Sequence, residues 1–223
     1  ISVDQYLKEN EVFNVASLLE WLVLQFSKSN LKQKEIDTWV DHSPENIKNV
    51  ENILKVFPNA TFIHIIRDGR AVAKSIKSMD LGPNNLLSAV EHWEHCLAYG
   101  FASELKFGSN KIIHIKYEDI LEFPEKIIKE LCEKLDIEFS QKMIEGNGHS
   151  VPDYTAKQHK LVGKSPNRNR ADAWKKEFTK REIEILEFKA GGLLKLLDYE
   201  LINQNKTRYP SISERFFFFL EGL

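Results

Sequence analysis

Glycine is missing from the first part of the chain, since Gly69 is the first of its ten glycines. Cysteine is nearly absent as well. Cys96 and Cys132 each lie inside a helical pattern, which predicts two buried free thiols rather than a disulfide framework or a cysteine-rich metal site. No apolar run reaches the roughly 18 residues that a membrane-spanning helix needs. The apolar stretch ERFFFFLEGL near the C-terminus is predicted to be a docking tail or the end of a helix.

An excess of charge of either sign is also missing. The chain carries 31 lysines and arginines against 33 aspartates and glutamates, a formal net charge of −2. It therefore lacks the general basic field that attracts nucleic acids or anionic membranes, and we expect neither as a partner. Any anion site should be local. A length of 223 residues with 42% hydrophobic and 29% charged residues predicts one α/β domain spanning residues 1–223.

Helical and strand patterns alternate along the chain. Strands are predicted at IDTWV, ATFIHII and KIIHIKY, which are residues 36–40, 60–66 and 111–117. Helices are predicted at residues 12–27, 44–57, 69–79, 86–106, 124–137 and 179–200, the first of them buried and the last weakened at a Gly-Gly pair. This alternation predicts a parallel sheet with helices on both faces, and the near-continuous apolar run of ATFIHII favours a strand that is covered on both sides.

Each predicted strand ends in a polar cluster. The clusters begin at Asp41-His42, at Arg67 and at Tyr117. In an open parallel sheet the carboxyl ends of the strands face one crevice, where ligands bind. We therefore expect Asp41, His42, Arg67 and Tyr117 to converge there.

Arg67 and Ser75 together suit a phosphate. Arg67 closes the second strand, Gly69 permits a tight turn, and Ser75 falls in the second turn of the helix that follows. A guanidinium fork, a hydroxyl and a helix N-terminus all favour a bound anion. The alternative is a surface Arg-Asp turn with salt bridges, with the serine bonded to its own backbone.

At this point the residues resemble a family. FPNATFIHIIRDGRAVAKSI resembles the 3′-phosphate-binding segment of sulfotransferases that use PAPS (3′-phosphoadenosine 5′-phosphosulfate). Three further segments resemble the family in the same order: WVDHSPENIKNV, IHIKYEDILEFPEKIIKELCEKLDI, and KSPNRNRADAWKKEFTKREIEILEFKAGGLLKLLDYE. The subgroup looks like the bacterial and tyrosylprotein sulfotransferases. The resemblance implies a P-loop NTPase-like, three-layer fold, and transfer of a sulfuryl group from PAPS to a hydroxyl or amine, with PAP (adenosine 3′,5′-bisphosphate) as product and no metal.

The resemblance also implies roles for single residues. Arg67 and Ser75 would contact the 3′-phosphate, and Tyr117 would lie near the adenine or the 3′-phosphate. Lys164 and Arg170, in a basic loop that also contains Arg168, would close over the phosphate. Asp68 and Arg70 are expected to brace the turn, so that Arg70→Ala costs only modest stability or binding.

Asp41 and His42 are the candidate catalytic residues. Asp41 matches the position where related enzymes often carry a catalytic glutamate, which accepts the proton of the acceptor. His42 replaces the usual lysine, and it is the alternative base. A third interpretation gives both residues the structural task of capping the helix that starts at Pro44.

One signature of the family has no counterpart here. Its Gly/Ser/Thr-rich loop, of the form Arg-Ser-Gly-Thr-Thr, cradles the 5′-phosphosulfate with backbone N–H groups. Nothing before Arg67 resembles it, and VGKSP at residues 162–166 is only a fragment of a Walker-like string. We therefore expect an N-terminally truncated domain that is inactive by itself.

Two other functions stay open, a non-catalytic nucleotide-binding or scaffold protein of the same fold, and a nucleotide kinase-like enzyme dependent on ATP and Mg²⁺. The acceptor should contact residues 79–86 and 146–170, whose composition fits a carbohydrate, a phenol or a peptide tyrosine alike. The low cysteine content favours the cytoplasm. The sequence does not indicate an oligomeric state.

Overall fold

The computed structural model describes residues 3–9, 14–31, 38–77, 85–145, 164–203 and 207–221. The chain divides into two compact units, residues 1–62 and residues 63–223, which are described separately. A single domain over the whole chain stays a prediction.

The first unit contains short helices. They are α1 (Val3–Glu9), α2 (Val15–Phe26), a π-helical turn (Ser27–Leu31), a 3₁₀ turn (Pro44–Lys48) and α3 (Val50–Val56). Asn14 caps α2, because its side-chain oxygen accepts hydrogen bonds from two backbone N–H groups of the first turn. The helix was predicted correctly, but its predicted burial is wrong, since none of its side chains is buried. Periodicity specifies a helix locally, whereas burial depends on what packs against it.

The strand predicted at IDTWV is also wrong where the structure describes it. Residues 38–43 have no regular secondary structure, and residues 36 and 37 lie outside the described residues. An alternating pattern of five residues becomes a strand only if another strand pairs with it, and the described sheet contains two other strands.

The predicted helix at residues 44–57 divides into two pieces at Asn49. The side chain of Asn49 donates a hydrogen bond of 3.0 Å to the carbonyl oxygen of Glu45, and its backbone adopts φ −117° and ψ 17°. An asparagine side chain competes in this way with the backbone ladder of a helix. Pro44 still occupies the first helical position, as predicted.

The second unit contains a small parallel sheet of two strands, β1 (Phe62–Ile66) and β2 (Ile112–Lys116). Both strands were predicted correctly. However, Ile63 and Ile65 of β1 are 38% and 54% exposed, so the expectation of a strand covered on both faces is wrong among the described residues. The other face packs against a helix, and Gly100 on that helix allows close approach to His64.

Seven α-helices of the second unit are described. They are α4 (Gly69–Lys77), α5 (Leu86–Phe107), α6 (Tyr117–Glu122), α7 (Pro124–Leu135), α8 (Trp174–Glu177), α9 (Lys180–Leu196) and α10 (Ile212–Glu221). The helix α4 packs on α5, α8 and α9, and α5 also packs on β2. The main hydrophobic core lies between these elements and includes Trp93, Leu97, Trp174 and Leu186.

The helical spacing within α5 predicts one apolar stripe, which consists of Leu86, Val90, Trp93, Leu97, Phe101 and Leu105. Most of this stripe is buried, but its last member is not. Leu105 is 89% exposed, whereas Leu86 and Leu97 are in the core. Leu105 lies 19 residues after Leu86, and at about 100° per residue it has rotated about 100° away from the buried face. Residues placed by repeated spacings of four therefore drift off the buried face of the helix.

The C-terminal helices complete the unit. Thr179 and Glu182 form a capping box that starts α9, and this helix continues without a break through Gly191 and Gly192, where we had expected it to weaken. The apolar C-terminal stretch forms α10, with Phe218 buried. Among the described residues no helix is both long and apolar enough to cross a membrane. Both cysteines are free, as predicted, although Cys96 is only half-buried.

Candidate functional site

Arg67 lies at the carboxyl end of β1. Its guanidinium carbon stacks 4.5 Å from the centre of the Tyr117 ring. Its Nε atom is buried and has no hydrogen-bond partner within the described ranges. Among the described residues no carboxylate pairs with it. A buried donor without an acceptor is costly, and an anion is the ligand that would satisfy a guanidinium most strongly.

Arg70, three residues later, is held entirely by the protein. It is 2% exposed, and it donates to both carboxylate oxygens of Asp68, at 3.0 and 2.7 Å. It also pairs with the buried carboxylate of Glu187 and donates to the carbonyl oxygen of Glu200, and its guanidinium stacks on the ring of Trp174. Burial by itself would lower the pKa of Arg70, but Asp68 and Glu187 more than offset this and raise it.

The prediction that Asp68 and Arg70 brace the turn is thus confirmed by these contacts. The expectation that Arg70→Ala costs only modest stability does not fit them, because the substitution would leave two buried carboxylates without their cation. Asp68 also accepts a hydrogen bond of 2.9 Å from the backbone N–H of Arg70, at the start of α4.

The structure brings Arg67 and Tyr117 together, as expected from the strand ends. Tyr117 is half-buried and is the first residue of α6, directly after β2. Ser75 lies in the second turn of α4 and is half-buried. The roles of these three residues toward a nucleotide stay predictions.

The basic loop reaches the same element. A 3₁₀ turn, Arg168–Arg170, packs against α6, and Arg168 forms a salt bridge with Glu122 of that helix. Arg170 is half-buried, whereas Lys164 is exposed. The loop is therefore anchored beside the helix that begins with Tyr117, and the assignment of Lys164 or Arg170 to a phosphate stays a prediction. Residues 146–163 lie outside the described part of the chain.

Asp41 and His42 belong to the first unit and are exposed. The carboxylate of Asp41 accepts hydrogen bonds from the side chain of Asn46, at 2.9 Å, and from the backbone and hydroxyl of Ser43, at 3.0 and 2.7 Å. These bonds, that of Asn46 first, lower the pKa of Asp41. Residues 38–40, the described residues just before the pair, form no strand, so the strand-end geometry no longer predicts that the pair lies near Arg67, and its catalytic role stays a prediction.

Three residues that hold the turn after β1 were not singled out from the sequence. Trp93 was assigned to the apolar stripe of α5, yet its Nε1–H donates to the carbonyl oxygen of Arg67 at 3.0 Å. Glu118 accepts hydrogen bonds from the backbone N–H of Asp68, at 3.1 Å, and from the hydroxyl of Tyr199, at 2.9 Å. A buried indole needs a partner for its N–H, and this requirement was the available signal for Trp93.

A second cluster of polar side chains lies where α5 packs on the two strands. The Nδ1 atoms of His64 and His114, on neighbouring strands, are 3.0 Å apart, and Nε2 of His114 lies 3.2 Å from Glu104. Burial, and then the neighbouring His114, lowers the pKa of His64 to about 4. The pKa of His114 is lowered by burial, although Glu104 opposes the shift. Within the described residues no group of three or more possible metal ligands occurs.

Comparison with known families gives a match over most of the chain. A family model described as "Sulfotransferase family" matches residues 6–141. The chain is also 24% identical over 108 residues to a protein-tyrosine sulfotransferase of Drosophila melanogaster, which covers 45% of this chain and 21% of that protein. It is 27% identical over 108 residues to protein-tyrosine sulfotransferase A of Caenorhabditis elegans, over 45% of this chain and 28% of that one.

A longer match joins the chain to an uncharacterized protein of Aquifex aeolicus, at 26% identity over 180 residues, which is 73% of this chain and 22% of that protein. The chain thus spans between a fifth and three tenths of the length of these three relatives.

Two solved structures share the fold. The sulfotransferase domain of the Synechococcus PCC 7002 olefin synthase aligns with a TM-score of 0.62 and 20% identity, over 83% of this chain and 69% of that one. The sulfotransferase domain of the curacin biosynthetic pathway aligns with a TM-score of 0.56 and 20% identity, over 71% of this chain and 59% of that one.

Proposed function

The chain belongs to the sulfotransferase family, and from this premise we propose that it is part of an enzyme that transfers a sulfuryl group from PAPS to a hydroxyl or amine. The observation that carries the proposal is Arg67, a partly buried arginine at a strand end whose Nε has no partner in the part of the chain that the structure describes. Its isolation suits a site that receives an anion, and the 3′-phosphate of PAPS is the anion that the family resemblance assigns to it.

The side chains around Arg67 fit this ligand. Tyr117 provides a flat ring against the guanidinium, and Ser75 on α4 provides a hydroxyl. The loop with Lys164 and Arg170 would add positive charge as it closes beside α6. When bound, PAPS supplies the sulfuryl group. The protein's contribution is to orient the nucleotide and neutralise its charge, because sulfuryl transfer resembles phosphoryl transfer in depending on position and charge more than on covalent chemistry.

The proton of the acceptor would go to Asp41 or His42. The hydrogen bonds that lower the pKa of Asp41 also make it a weaker base, since they stabilise its charged form. His42 is exposed and is the base to test first. Asp41→Asn and His42→Gln separate the two candidates. Substitution of the true base should lower kcat and leave the affinity for PAP unchanged.

Binding of PAP to the 223-residue chain tests the nucleotide site directly. Isothermal calorimetry should show that Arg67→Ala weakens the affinity for PAP by at least tenfold, as expected for the loss of a charge-assisted hydrogen bond. Arg208→Ala is the matched control, because it removes the same charge from an exposed side chain and should leave PAP affinity unchanged. If the wild-type chain does not bind PAP, or if Arg67→Ala binds it as well as the wild type, the proposal is wrong.

The acceptor follows less directly. Two relatives carry the name protein-tyrosine sulfotransferase, so tyrosine peptides come first in a screen with labelled PAPS, followed by carbohydrates and phenols. The screen should use the longest natural protein that contains this chain. Label transferred to one class identifies the acceptor.

A non-catalytic nucleotide-binding or scaffold protein is the second candidate. It is favoured by the absence from these 223 residues of any sequence resembling the glycine-rich phosphosulfate loop. This function predicts PAP binding that depends on Arg67 but no transfer to any acceptor, even by the longer protein.

A further inference from the structure

The turn that carries Arg67 is fixed by side chains from two other elements. This turn, Arg67-Asp68-Gly69, joins β1 to α4. Its carbonyl at Arg67 accepts a hydrogen bond of 3.0 Å from Nε1 of Trp93. Its N–H at Asp68 donates to Glu118 at 3.1 Å. The C=O and the N–H of the peptide group that follows the Cα of Arg67 are thus both held from outside the turn.

Trp93 also fits the turn by shape. A Cβ added at Gly69 would lie 2.7 Å from the Trp93 ring, which is closer than packed atoms approach each other. Trp93 is 4% exposed, so its ring cannot move away without disturbing the core. The indole therefore sets both the distance of the turn from α5 and the direction of the Arg67 carbonyl.

Glu118 links the turn to the ring on which Arg67 stacks. It directly follows Tyr117, so the same short segment supports the guanidinium and holds the backbone behind it. Its second oxygen accepts from the hydroxyl of Tyr199. Burial, followed by the charge of Glu118, raises the pKa of Tyr199, which keeps this hydroxyl a donor.

We infer that Trp93 and Glu118 are positioning residues for the anion site, holding Arg67 in the conformation that receives a 3′-phosphate. This inference rests on the proposed function. The described hydrogen bonds of Trp93 and Glu118 to this turn go to its backbone and not to the guanidinium. A preorganised arginine loses less conformational entropy when it binds, and so affinity for the phosphate should depend on these distant hydrogen bonds.

Trp93→Phe tests the indole, because it removes the N–H donor and keeps an aromatic ring against Gly69. The matched control is Trp174→Phe, which shrinks another buried tryptophan by the same amount but loses no described hydrogen bond, since Nε1 of Trp174 has no partner among the residues that the structure describes. Affinities for PAP and for AMP, which lacks the 3′-phosphate, are measured by displacement of a fluorescent nucleotide, so that weak binding is also quantified.

We expect Trp93→Phe to weaken the affinity for PAP about fivefold, the factor that corresponds to one neutral hydrogen bond. The affinity for AMP should change less than twofold. Trp174→Phe should leave both within twofold. Glu118→Leu should weaken PAP selectively as well, and Glu118→Gln, which retains an acceptor for the N–H of Asp68, should restore most of that loss.

The possible failures are distinguishable. Equal losses of affinity for PAP and for AMP, or equal effects of the two tryptophan variants, would overturn the positioning role while leaving Arg67 as the phosphate ligand. A wild-type affinity for PAP in Arg67→Ala would instead overturn the proposed function, and the positioning role with it.

Discussion

Arg67 and Arg70 are three residues apart on one turn, yet the protein treats them in opposite ways. Arg70 is enclosed by Asp68, Glu187 and a carbonyl oxygen. Arg67 stacks on an aromatic ring, and its buried Nε has no acceptor among the residues described. Composition alone does not rank the two arginines, since both lie within a few residues of the junction between an apolar strand and a helix. Charge compensation is what separates a structural arginine from one that is available to a ligand.

The largest effect should come from Arg70→Ala. It would leave Asp68 and Glu187 buried without a cation, and breaking a buried pair in this way costs about 3–5 kcal/mol. Urea unfolding of the variant should show a loss of this size in the free energy of unfolding. A loss below about 1 kcal/mol would mean that the two arginines are equivalent after all.

The pair of His64 and His114 allows a similar comparison between a half-buried and an exposed side chain, here with histidines. Only one proton fits between two Nδ1 atoms that are 3.0 Å apart. The pKa of His64 falls from 6.5 in its ordinary state to about 4 in the folded protein, so the unfolded chain binds more protons between these values. Stability should therefore be complete above about pH 6.5 and fall as the pH drops toward 4, by up to about 3 kcal/mol.

Urea unfolding between pH 7.5 and pH 5 measures this slope. His64→Gln should flatten it, because the titrating group is gone, although Glu104 still faces His114 across the pair. The exposed His95 offers a control: His95→Gln should keep the wild-type slope. An unchanged slope in His64→Gln would show that another group dominates the acid sensitivity.

Gly69→Ala should have an intermediate effect on both properties. The new Cβ would meet the Trp93 ring at 2.7 Å, and such overpacking costs about 1–3 kcal/mol. Because the ring also holds the Arg67 carbonyl, PAP affinity should fall together with stability. Gly192→Ala is the control, since nothing lies within 4 Å of the added atom. Thermal unfolding with and without PAP measures both effects, and a variant as stable as the control would contradict the close packing.

The smallest effect on stability should come from Arg67→Ala. Its guanidinium forms no ion pair with any described residue, so its removal should change the free energy of unfolding by less than about 1 kcal/mol. The thermal shift that saturating PAP produces in the wild type should disappear. A large intrinsic destabilisation would place Arg67 with Arg70 among the structural arginines.

Sequence patterns predicted the elements that depend on local periodicity. The strands β1 and β2, the start of α7 at Pro124 and most of the α5 stripe were correct. Two of the errors share one physical cause. The exposure of α2 and the absence of a strand at residues 38–43 depend on whether a partner element covers the residues, which a local pattern does not contain.

The residues of the candidate site divide in the same way, into those that a sequence pattern identifies and those that only contacts between distant residues identify. Arg67, Ser75 and Tyr117 were found from their place after strands and from the family resemblance. Trp93, Glu118 and Tyr199 were not, because their contacts join residues that are 26, 50 and 81 positions apart. Side chains at such separations meet only through packing.

The sequence by itself determined the family, the two strands and the helices α4, α5, α7 and α9 of the second unit, and the strand-to-helix junction that carries two arginines. Only the tertiary structure decided which arginine is neutralised. That outcome depends on Glu187, 117 residues after Arg70, because a buried charge is stabilised by whichever opposite charge the fold brings against it, and distance along the chain does not limit this.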